Sequence, residues 1–260
     1  MKNVIYYFSG TGNSLRAAQV IAEALGDCEI LHINRLATLP AGCRRVGFTF
    51  PHYALGVPDL VRRRLEAMGL EAMDVAASRD AYFFAVETYG GFRGNCLAQV
   101  RDILQSKGTA LHYGASVLMP ANNIVNYDMK DNAAEVAAAE ETLRRIARDI
   151  AAGTRNKIPR TKHIHNMIYR RFMATYPKKG LGFHADECCT GCGQCARLCP
   201  AGNIAMQDGR PTFGAECEQC MACIQWCPQA AIQYKDETQT RKRYQHPQVA
   251  LREFITKQGG

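Results

Sequence analysis

Hydrophobic positions along the 260-residue chain follow one rhythm for its first 150 residues and another near its end. Short, nearly continuous apolar runs occupy residues 4–8, 29–33, 45–50, 81–86 and 111–119. Runs of this kind suit strands covered on both faces. Between them, apolar residues return every three or four positions: at Leu15, Ala18, Ile21, Ala22 and Leu25, over 59–68, over 95–107, and in a long stretch over 131–152. That spacing predicts amphipathic helices. Five strands alternating with helices predict an α/β protein built on a doubly wound, five-stranded parallel sheet, with ligands held at the C-terminal strand ends. Past residue 184 the runs shrink. Residues 204–206 and 212–213 flank Asp208-Gly209, which reads as a tight hairpin.

Composition narrows the class. With 47% hydrophobic and 22% charged residues, collagen-like and disordered chains are excluded. No apolar stretch reaches the ~20 residues of a membrane helix. Lys2 is followed by too short an apolar run for a secretory signal, so a cytoplasmic location is expected. Thiols stay reduced there, and the 12 cysteines are then to be read for metal before disulfides.

Comparing the chain with itself shows how. Cys189, Cys192, Cys195, Cys199 and Pro200 recur 28 residues later as Cys217, Cys220, Cys223, Cys227 and Pro228. Each copy reads C-x2-C-x2-C-x3-C-P. Eight thiolates suffice for two 4Fe-4S clusters, with each close triplet on one cluster and the fourth cysteine of each run, at the start of a short helix, on the other. This predicts Cys189, Cys192, Cys195 and Cys227 around one cluster, and Cys217, Cys220, Cys223 and Cys199 around the second. Gly191 and Gly193 let backbone amides approach the sulfurs. Zinc ribbons use two separated pairs, a poorer match. Cys188 is a spare thiol unless the register slips by one; Cys28, Cys43 and Cys96 remain ordinary thiols.

At the other end, the first strand runs into Ser9-Gly10-Thr11-Gly12-Asn13-Ser14 and then a helix. Free amides at a helix N-terminus, with nearby hydroxyls, form an anion site. Without a lysine the loop is no Walker-type P-loop, and it lacks G-x-G-x-x-G. Neutral donors suit a buried phosphate monoester.

These residues resemble the FMN-phosphate loop of flavodoxins, and residues 184–234 resemble bacterial-type two-cluster ferredoxins. The whole chain is similar to the flavodoxin–ferredoxin fusion proteins of anaerobic bacteria and archaea. The resemblance implies a flavodoxin-like FMN domain over 1–152, a connector over 153–183, a small α+β ferredoxin domain over 184–234 and a basic tail over 235–260. It also implies flavin contacts from Pro51, His52 and Tyr53 after the third strand, from Thr88, Tyr89, Gly90 and Gly91 after the fourth, and from Asn122 after the fifth. Tyr53 and Tyr89 would stack on the ring. An Arg-Tyr-x-His-Pro element such as Arg243–Pro247 ends similar proteins and is expected near the clusters or the flavin.

The formal charge of +8 equals that of the connector region alone, with Arg155, Lys157, Arg160, Lys162, Arg170, Arg171, Lys178 and Lys179 and no acid. Ile164, Met167, Ile168 and Phe172 fall at helical spacing there, predicting a helix docked by its apolar face. Few aromatics interleave with the cations, which favours anionic cofactors or acidic redox partners over nucleic acid. The expected function is an electron-transfer flavo-iron-sulfur protein working with redox protein partners. The alternative is an FMN-dependent reductase of a small organic acceptor fed by the clusters, with His52, Tyr53 or Tyr89 as proton donor. The sequence leaves open the partners, the direction of flow and whether the chain forms a homodimer.

Overall fold

The computed structural model describes residues 3–40, 42–69, 81–127, 132–175 and 177–258. Strands β1 (Asn3–Tyr7), β2 (Cys28–His32), β3 (Arg45–Pro51), β4 (Tyr82–Tyr89) and β5 (Leu111–Leu118) form one parallel sheet in the order β2-β1-β3-β4-β5. This is the flavodoxin-like doubly wound arrangement. The unbroken apolar runs have the expected cause: β1 is buried at every position, and β3 and β4 nearly so. Helices α1 (Asn13–Leu25), α2 (Asp59–Ala67), α3 (Cys96–Ser106) and α4 (Ala133–Ala151) return the chain between strands or follow the last. Each lies within two residues of the stretch its periodicity predicts; position 131 lies outside the described residues.

Helix α5 (His163–Thr175) forms where the connector's apolar spacing places it, but it docks by another face. Ile164, Met167 and Ile168 are 55%, 60% and 44% exposed. The buried residue is Tyr169, whose hydroxyl donates to Val57 O at 2.6 Å. At the N-terminal end Asn95 fixes the helix by donating from Nδ2 to Lys162 O and Asn166 Oδ1. Of the predicted stripe Phe172 packs on the core while the other three stay exposed, and specific polar contacts complete the docking.

The cysteine-rich segment contains β6 (Phe183–Ala185), α6 (Gln194–Leu198), β7 (Ile204–Gln207), β8 (Arg210–Phe213), α7 (Ala222–Gln225) and β9 (Ile232–Tyr234). Strands β7 and β8 form the expected hairpin, with Asp208 and Gly209 both at positive φ, and β6 pairs antiparallel with β9. One expectation is corrected: α6 and α7 precede the fourth cysteines rather than starting at them. Cys199 caps the C-terminus of α6, because the triplet's third cysteine already sits inside the helix.

Residues after 235 lead to helix α8 (Leu251–Gln258), which packs beside the edge strand β2. Phe254 is fully buried and stacks on Trp226, ring centroids 5.0 Å apart. Burying a side chain of this size contributes about 1.5–3 kcal/mol. The main core accordingly runs on from the five-stranded sheet through Leu198, Cys220, Trp226, Val249 and Phe254. No helix among the described residues is long and apolar enough to cross a membrane.

Candidate functional site

Loops leaving the C-terminal ends of β1, β3, β4 and β5 converge on a cavity of about 260 Å³. Ser9, Gly10, Thr11, Asn13, Ser14, Pro51, His52, Tyr53, Thr88, Tyr89, Gly90, Gly91 and Asn122 all line it. Gly12 does not; at φ 95° it caps α1 and turns its back on the cavity, against His246 and Val249. The positive end of the α1 dipole therefore meets the cavity, with first-turn amides that have no partner inside the helix. The Gly12 amide donates to Ser9 Oγ at 3.0 Å, and the hydroxyls of Ser14 and Thr88 share a hydrogen bond of 2.9 Å. Whichever of these two donates, one hydroxyl proton is left for a ligand. No Lys or Arg lines this cavity among the described residues. A phosphate monoester fits such a cradle of helix end and hydroxyls.

The ring-side residues are more constrained than the sequence suggests. His52 Nε2 accepts from Leu55 N at 3.0 Å, so neutral His52 carries its proton on Nδ1, which faces Glu87 Oε2 at 3.3 Å. Both ring nitrogens are thus engaged within the protein. Glu87 is buried and also accepts from Ser116 Oγ at 2.7 Å. Cys96 completes this trio, and burial, with Glu87 nearby, pushes its thiol well up. Among the described residues His52, Glu87 and Cys96 are the one group of three His, Cys, Asp or Glu ligand atoms within 4.8 Å of one another. With Nε2 committed as an acceptor, Nδ1 keeps its proton and is a poor metal ligand. Tyr53 packs edge-on against Phe8, and its hydroxyl oxygen accepts from Asn122 Nδ2 at 2.7 Å. Tyr89 lies under the Arg93 guanidinium, 5.7 Å from the ring centre.

Phe92 and Asn123 of the loops after β4 and β5 line the cavity too, and Asn126, Tyr127, Phe172 and Gln219 do so without having been foreseen. The helical spacing that includes Phe172 is visible in the sequence, but not its destination. Gln219 lies inside the second cysteine run, more than 100 residues from any strand-end loop of the sheet but the last.

The eight repeated cysteines fall into two further cavities. Cys189, Cys192, Cys195 and Cys227 line one; Cys199, Cys217, Cys220 and Cys223 line the other. Each set thus combines a triplet from one run with the fourth cysteine of the other. Cys188 is exposed and lines neither. Backbone amides point at the sulfurs: Asn203 N donates to Cys199 Sγ at 3.2 Å, Ala231 N to Cys227 Sγ at 3.3 Å and Gln219 N to Cys217 Sγ at 3.3 Å. A single tetrahedral zinc with ~2.3 Å bonds draws its thiolates to roughly 3.8 Å of one another. Among the described residues no three of these sulfurs lie within 4.8 Å of one another. Burial pushes the Cys195 and Cys217 thiols up to about 11, and Cys220 and Cys223 well above the usual range. Thiols held protonated this way become ligands only when a metal displaces the proton.

The two kinds of site share a wall. A Cβ added at Gly10 would lie 1.8 Å from the carbonyl oxygen of Cys220, so only glycine fits there. Asn122 Nδ2 donates to the same carbonyl at 3.3 Å, and Trp226 Nε1 donates to Gly10 O at 2.9 Å.

Sheet order, strand-end cavity and paired four-cysteine cavities define a flavodoxin-like α/β protein with a cysteine-rich partner segment. No family model matches the chain, and no curated protein sequence does. Among solved structures it is similar to an FMN-dependent NADH-azoreductase from Bacillus anthracis, at 8% identity and TM-score 0.42 over 58% of this chain and 100% of that one. It is also similar to a flavodoxin from Streptococcus pneumoniae TIGR4, at 17% identity and TM-score 0.39 over 58% and 99%. A third likeness is the rubredoxin oxygen:oxidoreductase of Desulfovibrio gigas, at 17% identity and TM-score 0.40. That match covers 58% of this chain but only 35% of the oxidoreductase. Strand order and register, rather than these likenesses, define the fold.

Proposed function

We propose that this chain is an electron-transfer flavo-iron-sulfur protein, a flavodoxin-like unit over residues 1–152 joined to a two-cluster ferredoxin-like unit over 184–234. FMN would occupy the strand-end cavity, its phosphate on residues 9–14, and a 4Fe-4S cluster would occupy each four-cysteine cavity. When bound, FMN exchanges one or two electrons and each cluster one. The observation that carries this reading is Cys220: its side chain lines the second cysteine cavity, while its carbonyl touches the loop lining the flavin cavity. With donor and acceptor in one chain, transfer needs no diffusional encounter. Redox protein partners would supply or remove the electrons.

The protein's own residues hold and exclude rather than react. Thr11, Ser14 and the α1 N-terminus would bind phosphate, and Tyr53 and Asn122 wall the cavity toward the cysteines. Both ring nitrogens of His52 are tied up in internal hydrogen bonds, which disfavours it as the proton donor to an organic acceptor that the reductase reading needs. Anaerobic purification should yield about eight irons and one FMN per chain, with an iron–sulfur and a flavin spectrum. Zinc in place of iron would overturn the cluster reading, and failure to bind added FMN would overturn the flavin reading.

A further inference from the structure

Resting on that reading of the cavity, we propose that the phosphate loop is held in its binding shape by the cysteine-rich segment and tail, so that FMN affinity depends on cluster assembly. Four consecutive loop residues are each gripped from beyond position 219. Gly10 O accepts from Trp226 Nε1, and the Cys220 carbonyl presses on its Cα. Thr11 O accepts from His246 N at 2.8 Å. Gly12 abuts His246 and Val249, whose Cβ atoms would each lie 3.2 Å from an added Cβ. Asn13 Oδ1 accepts from Tyr244 Oη at 2.8 Å, while its Nδ2 donates to Pro120 O at 2.8 Å.

One buried residue ties these grips together. Gln225 is fully buried; its Nε2 donates to Asn122 O at 2.9 Å, and its Oε1 accepts from Tyr244 N at 2.7 Å. It thereby joins α7, the tail and the loop after β5. Trp226 and Gln225 stand one and two positions before Cys227 of one cysteine cavity, and Cys223 of the other stands two before Gln225.

A segment this short, with few apolar residues and eight thiols facing two cavities, gains much of its folding free energy from the metal it binds. Without clusters the hydrogen bonds from Trp226, Tyr244 and His246 lose their anchorage, and the loop loses its shape. Linkage makes the dependence reciprocal: bound FMN also favours cluster retention. Trp226, Gln225 and Tyr244 act as positioning residues. Trp226 and Tyr244 touch the loop that would bind phosphate, Gln225 braces Tyr244 and Asn122, and none of the three lines the cavity.

The test uses the full chain, purified anaerobically with both clusters, freed of flavin and titrated with FMN and with riboflavin by flavin fluorescence. Tyr244→Phe and Trp226→Phe each remove one hydrogen bond to the loop and should raise the FMN Kd by about 3–10-fold. The riboflavin Kd should stay unchanged, because riboflavin has no phosphate to place. Removing iron with a chelator should weaken FMN by about 5–150-fold. Iron content and Tm guard against misfolding of either variant. Unchanged FMN affinity in both variants and in the iron-free chain, with the parent protein binding FMN, would overturn the proposal. Equal weakening of FMN and riboflavin, with a lowered Tm, would reduce these residues to general stability and overturn it too. A parent protein with full iron that binds neither flavin would bring down the cavity reading itself.

Discussion

The two cysteine runs share a backbone and differ in everything around it. Gly191 and Gly193 of the first copy have φ 67° and 70°; their counterparts Gln219 and Met221 have 48° and 63°. Amide-to-sulfur bonds repeat as well, from Asn203 to Cys199 and from Ala231 to Cys227. Surroundings then diverge. Cys192 is exposed, whereas its counterpart Cys220 is buried against the phosphate loop. Arg197 faces solvent, whereas Gln225 is fully buried. A side chain in the left-handed region costs about 1–2 kcal/mol. The second copy sustains that cost because Met221 packs into a core and Gln219 lines the strand-end cavity while its amide donates to Cys217 Sγ. At the first copy nothing offsets it, and glycine remains. One motif has produced an inner four-cysteine cradle against the strand-end loops and an outer one nearer to solvent.

Ligand removal should separate the cradles most. Cys192→Ser should lower iron from about eight to about four per chain and leave FMN bound. Cys220→Ser should lower iron similarly but also weaken FMN and cost about 3 kcal/mol, roughly 6–12 °C in Tm. Iron analysis, flavin titration and thermal melts of both variants check this, and identical behaviour would erase the distinction. Next in size is Gly191→Ala. Its Cβ would lie 2.4 Å from Gly209 O at a positive φ, for an expected loss of about 2–3 kcal/mol in denaturant unfolding. Gln219→Gly, at the matching position, should cost less than about 1 kcal/mol, since relief of the backbone offsets lost packing.

Acid probes two buried histidines, one in the tail and one at the end of β2. Burial holds His246 down at about 4, between Glu140 and Arg16, and His32 down at about 3. The unfolded chain takes up these protons near pH 6.5, before the folded one does. Their contribution is therefore complete above 6.5 and lost as pH falls toward 4, at about 1.4 kcal/mol per pH unit for each histidine. Melts between pH 7 and 5 should show the loss, and His246→Gln should make its slope shallower. The smallest effect is expected from Gln219→Leu, which removes the Nε2 donor 3.6 Å from Cys217 Sγ. The inner cluster's potential should become more negative by on the order of 20–60 mV, with the outer one unmoved, in an anaerobic redox titration.

Local pattern makes much of this legible in the sequence. Continuous apolar runs and helical spacing specify strands and helices to within a few residues, because burial on two faces or one is written in period. The 28-residue repeat marks the cysteines that recur in register, and Ser9–Ser14 marks a hydroxyl-rich turn entering a helix, since both depend on residues close in sequence. Contacts between distant segments carry no such signal. Nothing in the spacing of Ile164, Met167 and Ile168 tells that Tyr169 and Asn166 would fix the helix and leave that stripe in solvent. His52, a plausible donor by position, is committed by the fold to Leu55 and Glu87. That Cys220 rather than Cys192 lies against Gly10, and that Trp226, Tyr244 and His246 hydrogen-bond the loop at Gly10, Asn13 and Thr11, was decided by tertiary structure alone. Two runs that share their cysteines, their proline and their backbone differ there in what packs on them, and packing between segments some 200 residues apart is a property of the folded chain.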